Sequence, residues 1–179
     1  MKFAWIRLNL IDYISMYINP SNIAQKAAAK KKENQAFFKR LKKKPPKHLD
    51  QKMQHLHHDV FAKTDCLDCA NCCKTTSPIF TDKDINRIAK RLKLSARKFI
   101  DTYLILDDEG DYVLPKSPCP FLFEDNKCMI YDVRPKACAE YPHTDRKKFH
   151  QITNLTLKNL AVCPAAFKII EKLKQTTTF

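Results

Sequence analysis

From Phe3 to Ile18 the chain is mostly apolar, with Asn9, Asp12, Ser15 and Asn19 recurring three or four positions apart. That spacing lays a polar stripe along one side of a helix, and Pro20 ends it. Packing of this helix on the domain or on a partner is the plain expectation. A membrane-surface helix would carry basic residues along its polar face, and this one does not. Ser21 then stands where it can cap a second helix through "NIAQKAAAKKKENQAFFKRLKKK", which is rich in strong helix formers and stopped by Pro45-Pro46. A third, "DQKMQHLHHDVFAKTD", delivers the chain to Cys66.

Further on, Thr81 and Asp84 have capping-box spacing ahead of an apolar stripe at Ile85, Ile88, Ala89 and Leu92. Ser95 is placed to cap a following helix, "ARKFIDTYL", so that the pair can cover the cysteine region. The pattern then changes. "DYVL" and "CPFLFEDNKCMIY" read as short strands with Glu124, Asp125 and Asn126 as a hairpin turn. "RPKACAEYP", between Pro135 and Pro142, is about one helical turn. Cys163 and Pro164 stand at the N-cap and first position of a closing helix, "CPAAFKIIEKLKQ". The expected fold is α+β, mainly α-helical with a short β-hairpin. A compact cysteine-cluster domain is expected over residues 51–179, which the cysteines discussed below would make metal-stabilised, with a basic helical extension or arm over residues 1–50.

Charge separates these two parts. Residues 1–50 carry 12 Lys and Arg against Asp12, Glu33 and Asp50, which leaves 21 basic and 16 acidic residues for the rest. A basic helix can reach an acidic surface such as nucleic acid. The absence of interleaved aromatics beyond Phe37-Phe38 favours a solvated helix or flexible arm instead. Arg7, Asn9 and Asp12 break any signal-peptide apolar region, and no uninterrupted apolar span of about 20 residues offers a transmembrane segment. A cytoplasmic, reducing setting is therefore expected, where clustered cysteines bind metal or do redox chemistry more often than they form structural disulfides.

The cysteines carry the chemistry. Cys66, Cys69, Cys72 and Cys73 fall within eight residues, and Cys119, Cys128, Cys138 and Cys163 follow in the C-terminal part. Adjacent Cys72 and Cys73 have Cα atoms about 3.8 Å apart, below the ~4.4–6.8 Å disulfide range. A thioredoxin-like dithiol would need one CxxC beside a βαβ unit, which is missing. Metal binding suits the spacing, because C-x-x-C lets two thiolates converge about 2.3 Å from one ion while the backbone turns between them. The run Cys66, Cys69, Cys72 reproduces the C-x₂-C-x₂-C of bacterial ferredoxins, and Cys119-Pro120 or Cys163-Pro164 could complete an iron–sulfur site. Zinc is common in Cys₄ sites but often uses a glycine after the ligand, and Gly110 is the chain's one glycine. The residues favour iron and leave zinc open. His55 and His58, three apart, could share a face and bind metal, although an exposed or capping role suits them better.

"CLDCANCC", "PCPFL", "CMIYDVRPKACAEYP" and the late "CP" together resemble the YkgJ-like cysteine-cluster (CxxCxxCC) family, described as zinc- or iron-chelating. The resemblance runs from about Cys66 to Cys163 and implies that all eight cysteines belong to the chelating pattern. Residues 1–50 lie outside it. The same pattern occurs in flagellin lysine methylases, which raises a redox or methyl-transfer enzyme, or a subunit of one, as an alternative. Against it, no glycine-rich loop follows a strand to hold a methyl-donor cofactor, and no acid/base or nucleophile constellation stands out. The acidic run Asp107, Asp108, Glu109, Asp111 reads as a solvated loop. Lys74, Arg134 and Lys136 could offset thiolate charge, and Phe121, Phe123, Tyr131 and Tyr141 could wall the site. A chelating or accessory module is the reading the residues favour, with metal as its partner and any protein partner unnamed.

Overall fold

The computed structural model describes residues 22–179; the expected helix over 3–18, the Pro20 stop and the Ser21 cap lie outside them. The elements in order are α1 (Ile23–Ala29), α2 (Lys31–Lys43), α3 (Leu49–Phe61), α4 (Cys66–Cys69), α5 (Asn71–Thr75), α6 (Asp82–Arg91), α7 (Ala96–Tyr103), β1 (Ile105–Leu106), β2 (Tyr112–Val113), α8 (Lys136–Ala139), α9 (Thr153–Leu160) and α10 (Pro164–Gln175). Two 3-10 turns, Tyr131–Val133 and Phe149–Ile152, precede α8 and α9. The mainly helical fold with a small antiparallel sheet matches the expected class.

Two separate apolar cores organise these elements. The first gathers Ile23 and Ala27 of α1, Phe37, Phe38 and Leu41 of α2, Leu49, Met53, Leu56 and Val60 of α3, Phe149 and Leu160, and the inner face of α10 at Ala165, Ala166, Phe167, Ile169, Ile170 and Leu173. Full burial of each large side chain among them contributes about 1.5–3 kcal/mol. Polar groups lock its edges. The Asp50 carboxylate accepts from the N–H groups of Lys148 (2.6 Å) and Phe149 (3.0 Å), which anchors the start of a 3-10 turn that has no other cap. Buried Asn34 accepts from Lys174 Nζ at 2.8 Å, and Lys174 also pairs with Glu33 and Glu171.

Residues 22–50 therefore do not stand clear of the domain as an arm would. The lysines dominate that stretch by count, but Ile23, Ala27, Phe37, Phe38 and Leu41 form the stripe that enters the first core, with α1 and α2 against α9 and α2 also against the Phe149–Ile152 turn. The expected single helix is also interrupted at Lys30, between α1 and α2. Lys30 bonds Glu171 of α10 from this break.

The second core is built from Phe80, Ile85, Ile88, Ala89, Phe99, Leu104, Leu114, Phe121 and Ile130. The capping box at Thr81 and Asp84 and the Ser95 cap form as the spacing predicts. Phe99 and Phe121 stack with centroids 6.2 Å apart, so the α6–α7 pair covers the segment that follows Cys119. β1 and β2 pair antiparallel, Ile105 opposite Val113 and Leu106 opposite Tyr112. The acidic run is thus the turn of this hairpin, and Asp107 Oδ1 organises it by accepting from the N–H groups of Glu109 and Asp111. The expected strands around Glu124-Asp125-Asn126 reduce to one bridge, Leu122 to Cys128. Among the described residues no helix is long and apolar enough to cross a membrane.

Candidate metal centre

The chain crosses between the two cores twice, and most cysteines sit on or beside those crossings. Residues 62–79 lead from the first core to the second and carry Cys66, Cys69, Cys72 and Cys73. Residues 134–148 lead back and carry Cys138. Cys119 and Cys128 pack against the second core, and Cys163 against the first. None of the eight forms a disulfide.

The outward crossing is shaped by short-range hydrogen bonds. Asp65 Oδ1 accepts from Leu67 N–H at 2.8 Å, capping the single turn of α4. Ala70 then takes a left-handed conformation (φ 45°) and reverses the chain into α5, a position where a Cβ is unfavourable. Asn71 Nδ2 donates to the carbonyl of Val162 at 2.7 Å, which places α5 against the start of α10 and Cys163. Thr75 and Thr76 hydroxyls return to the carbonyls of Asn71 (2.7 Å) and Cys72 (2.8 Å), closing the end of α5.

On the other side, Cys119 N–H donates to the carbonyl of Cys73 at 2.8 Å. Asn126 Nδ2 reaches the carbonyl of Asp68 at 3.4 Å. The return crossing is pinned to α6: buried Asp84 accepts from Lys136 N–H (3.1 Å) as well as from Thr81 and Arg87, while Arg87 donates to the carbonyl of Arg134 (2.8 Å). Those bonds fix α8, and with it Cys138. Cys163 caps α10, its sulfur accepting from Ala166 N–H at 3.4 Å, as Cys-Pro at the helix start predicts.

A cavity of about 510 Å³ opens beside four of the cysteines, Cys66, Cys69, Cys72 and Cys163. Phe61, Tyr141, Pro142 and Val162 give it apolar walls, and Lys63 and Lys168 also line it. The Tyr141 hydroxyl is buried and has no hydrogen-bond partner among the described residues.

Burial first, and neighbouring thiols after it, favour the neutral form of Cys66, Cys119, Cys128, Cys138 and Cys163. Burial, and then neighbouring Cys73, Cys119 and Cys128, push Cys138 up to about 12, with Arg134 opposing. Burial pushes Cys163 up to about 12, with backbone N–H groups opposing and Cys66 and Cys69 adding to the rise. Cys119 rises to about 11, and Cys66 and Cys128 rise as well, burial leading in each case. The adjacent Cys72 and Cys73 side chains act on each other, pushing Cys72 up and Cys73 down, with Lys74 adding to the drop. Burial raises the Tyr141 phenol, and Cys163, Cys72 and Cys69 add to it, so the hydroxyl lies within electrostatic reach of three sulfurs. Several close thiols become thiolates together only when a cation offsets their mutual repulsion.

The structure thus brings the eight cysteines into one region, although no three His, Cys, Asp or Glu side chains among the described residues stand in the arrangement of a metal site. His55 and His58 are exposed, His55 lying 3.5 Å from Asp59. Of the expected wall, Phe121 is buried and Tyr141 lines the cavity, but Phe123 and Tyr131 are exposed, 52% and 43%. Arg134 stacks on Tyr131, 4.0 Å from its ring centroid, and opposes the rise of Cys66, Cys128 and Cys138. Lys136 pairs with Glu140 at 3.5 Å. Sequence reading missed Asn71, Asn126 and the long-range role of Asp84. Only Asp84 left a signal, as the capping box.

These features define a cysteine-cluster protein with eight unpaired thiols gathered between two small cores. A family model described as "CxxCxxCC: Putative zinc- or iron-chelating domain" matches residues 65–157, more than half of the chain, and the protein belongs to that family. The match ends before Cys163, which the fold brings alongside Cys66, Cys69 and Cys72. No curated protein and no solved structure matches the chain.

Proposed function

We propose that the protein is a chelating or accessory module whose eight cysteines hold zinc or iron between its two cores. One observation carries this reading: residues from both cores and both crossings converge on a single thiol-rich region without forming a disulfide. The donor set fits the group. Thiolates suit zinc and iron–sulfur centres, the unpaired Tyr141 hydroxyl can donate to a thiolate sulfur, and Arg134 and Lys74 offset negative charge. Bound metal would supply the cation that lets the thiols ionise.

Iron in a sulfide-bridged centre is favoured over zinc by the Cys66, Cys69, Cys72 run and by the two Cys-Pro pairs. A reducing compartment such as the cytoplasm suits eight free thiols. The cavity beside Cys66, Cys69, Cys72 and Cys163 favours a second reading, in which the metal centre serves a redox or methyl-transfer reaction on a substrate lodged there. The test is metal and acid-labile sulfide analysis of protein purified without oxygen. Metal bound in stoichiometric amounts and released when thiols are alkylated supports chelation, and protein purified free of zinc and iron that takes up neither overturns it.

A further inference from the structure

We propose that the eight cysteines divide into two four-thiol centres, Cys66, Cys69, Cys72 and Cys163 forming one and Cys73, Cys119, Cys128 and Cys138 the other. The proposal rests on the chelating reading above and adds which residues act together.

The division follows the packing. Cys66, Cys69, Cys72 and Cys163 line the cavity, and the other four cysteines do not. Cys163 packs on the first core, and the Asn71 to Val162 hydrogen bond brings α5 to it. Cys119 and Cys128 pack on the second core, which also holds α8 and Cys138 through Asp84 and Arg87. Cys73 joins that group through its carbonyl, bonded to Cys119 N–H. Adjacent residues on a helix project about 100° apart, so Cys72 and Cys73 leave α5 in different directions. Their adjacency in the chain sets the two groups side by side.

Each group has the composition of a complete site. Four thiolates satisfy a tetrahedral zinc or one iron–sulfur cluster. Each also contains one Cys-Pro, Cys163-Pro164 in the first and Cys119-Pro120 in the second. Two ions or clusters would share the one-residue link between Cys72 and Cys73, and Arg134, within reach of Cys66, Cys128 and Cys138, would offset charge on both.

Zinc(II) alone serves as the probe. The full-length reduced, metal-free chain is titrated with zinc, and bound metal is counted by mass spectrometry under native conditions. Two ions per chain are expected. Cys69→Ser with Cys163→Ser should leave one, Cys119→Ser with Cys138→Ser should leave one, and Cys163→Ser with Cys138→Ser should lose at least tenfold in affinity for both. Because a variant can fail to fold, wild-type protein holding one zinc is also alkylated and its free thiols mapped. Labelling of four cysteines drawn from a single group supports the division. Mixed labelling, or a single zinc at saturation, overturns it while leaving chelation standing, whereas a wild-type chain that takes up no zinc or iron overturns both.

Discussion

The backbone N–H of Cys119 lies 2.8 Å from the carbonyl oxygen of Cys73, joining the second core to the cysteine run through main chain alone. Metal held by the flanking thiols, as proposed above, would add its binding energy to this main-chain link.

Replacing Cys66, Cys69 and Cys72 together with Ser should abolish binding at that run and lower the melting temperature by about 10 °C. The figure follows from about 4 kcal/mol of ligand-linked stability at ~1,000-fold saturation and ~2–4 °C per kcal/mol. Calorimetry of metal-loaded protein checks it. A triple variant that melts like wild type would sink the central role of these thiols.

Protein purified without oxygen should be brown and contain acid-labile sulfide, because sulfide-bridged iron absorbs visible light and zinc, with a filled d shell, does not. Colourless protein carrying stoichiometric zinc rules out the iron reading.

Asp84 is 1% exposed. Burial pushes its carboxyl up, but bonds from Thr81, Arg87 and Lys136 outweigh this and hold it below the ordinary value of 3.8. A depressed carboxylate stabilises the fold fully above the unfolded value and loses that contribution as pH falls through the folded value. Stability should therefore drop below about pH 4. Asp84→Asn should cost about 2 kcal/mol at neutral pH and flatten this acid limb, read from urea titrations at several pH values.

Tyr141→Phe separates two roles of one hydroxyl. In metal-free protein the change should be neutral or slightly stabilising, since the buried hydroxyl has no partner among the described residues. Metal affinity should fall about 10-fold or more if the hydroxyl donates to a thiolate. Equal affinities in the two proteins would remove Tyr141 from the site.

Deleting residues 1–43 tests the division of the chain at residue 50. Ile23, Phe37, Phe38 and Leu41 leave the first core with them, at about 1.5–3 kcal/mol each, enough to unfold a domain of ordinary marginal stability. Loss of the helical melting transition is expected. A truncated chain that melts like the full one would restore the separable arm.

Local signals were legible where a few neighbouring residues suffice. Thr81 with Asp84, Ser95, and Cys163 with Pro164 each formed the cap that their spacing announces. The cysteine density of Cys66–Cys73 likewise pointed to the region where the two cores meet. What escaped depends on distant partners. Leu106 pairs with Tyr112 across an acidic turn whose composition suggested only solvent. Phe38 lies among lysines in sequence and within the first core in space. Asn71 and Asn126 look like ordinary loop residues until Val162 and Asp68 supply their acceptors.

The order in which the cores are completed follows from how the chain is threaded. Every residue of the second core lies between Phe80 and Ile130, whereas the first needs both Ile23–Val60 and Phe149–Leu173. During synthesis the second core is whole while α1, α2 and α3 still wait for α10, their apolar stripes uncovered. Six thiols have emerged once Ile130 is made, Cys138 follows, and Cys163 arrives last, as the N-cap of the helix that closes the first core. If Cys163 is a ligand as proposed, completing the metal site and closing the first core would be the same late event.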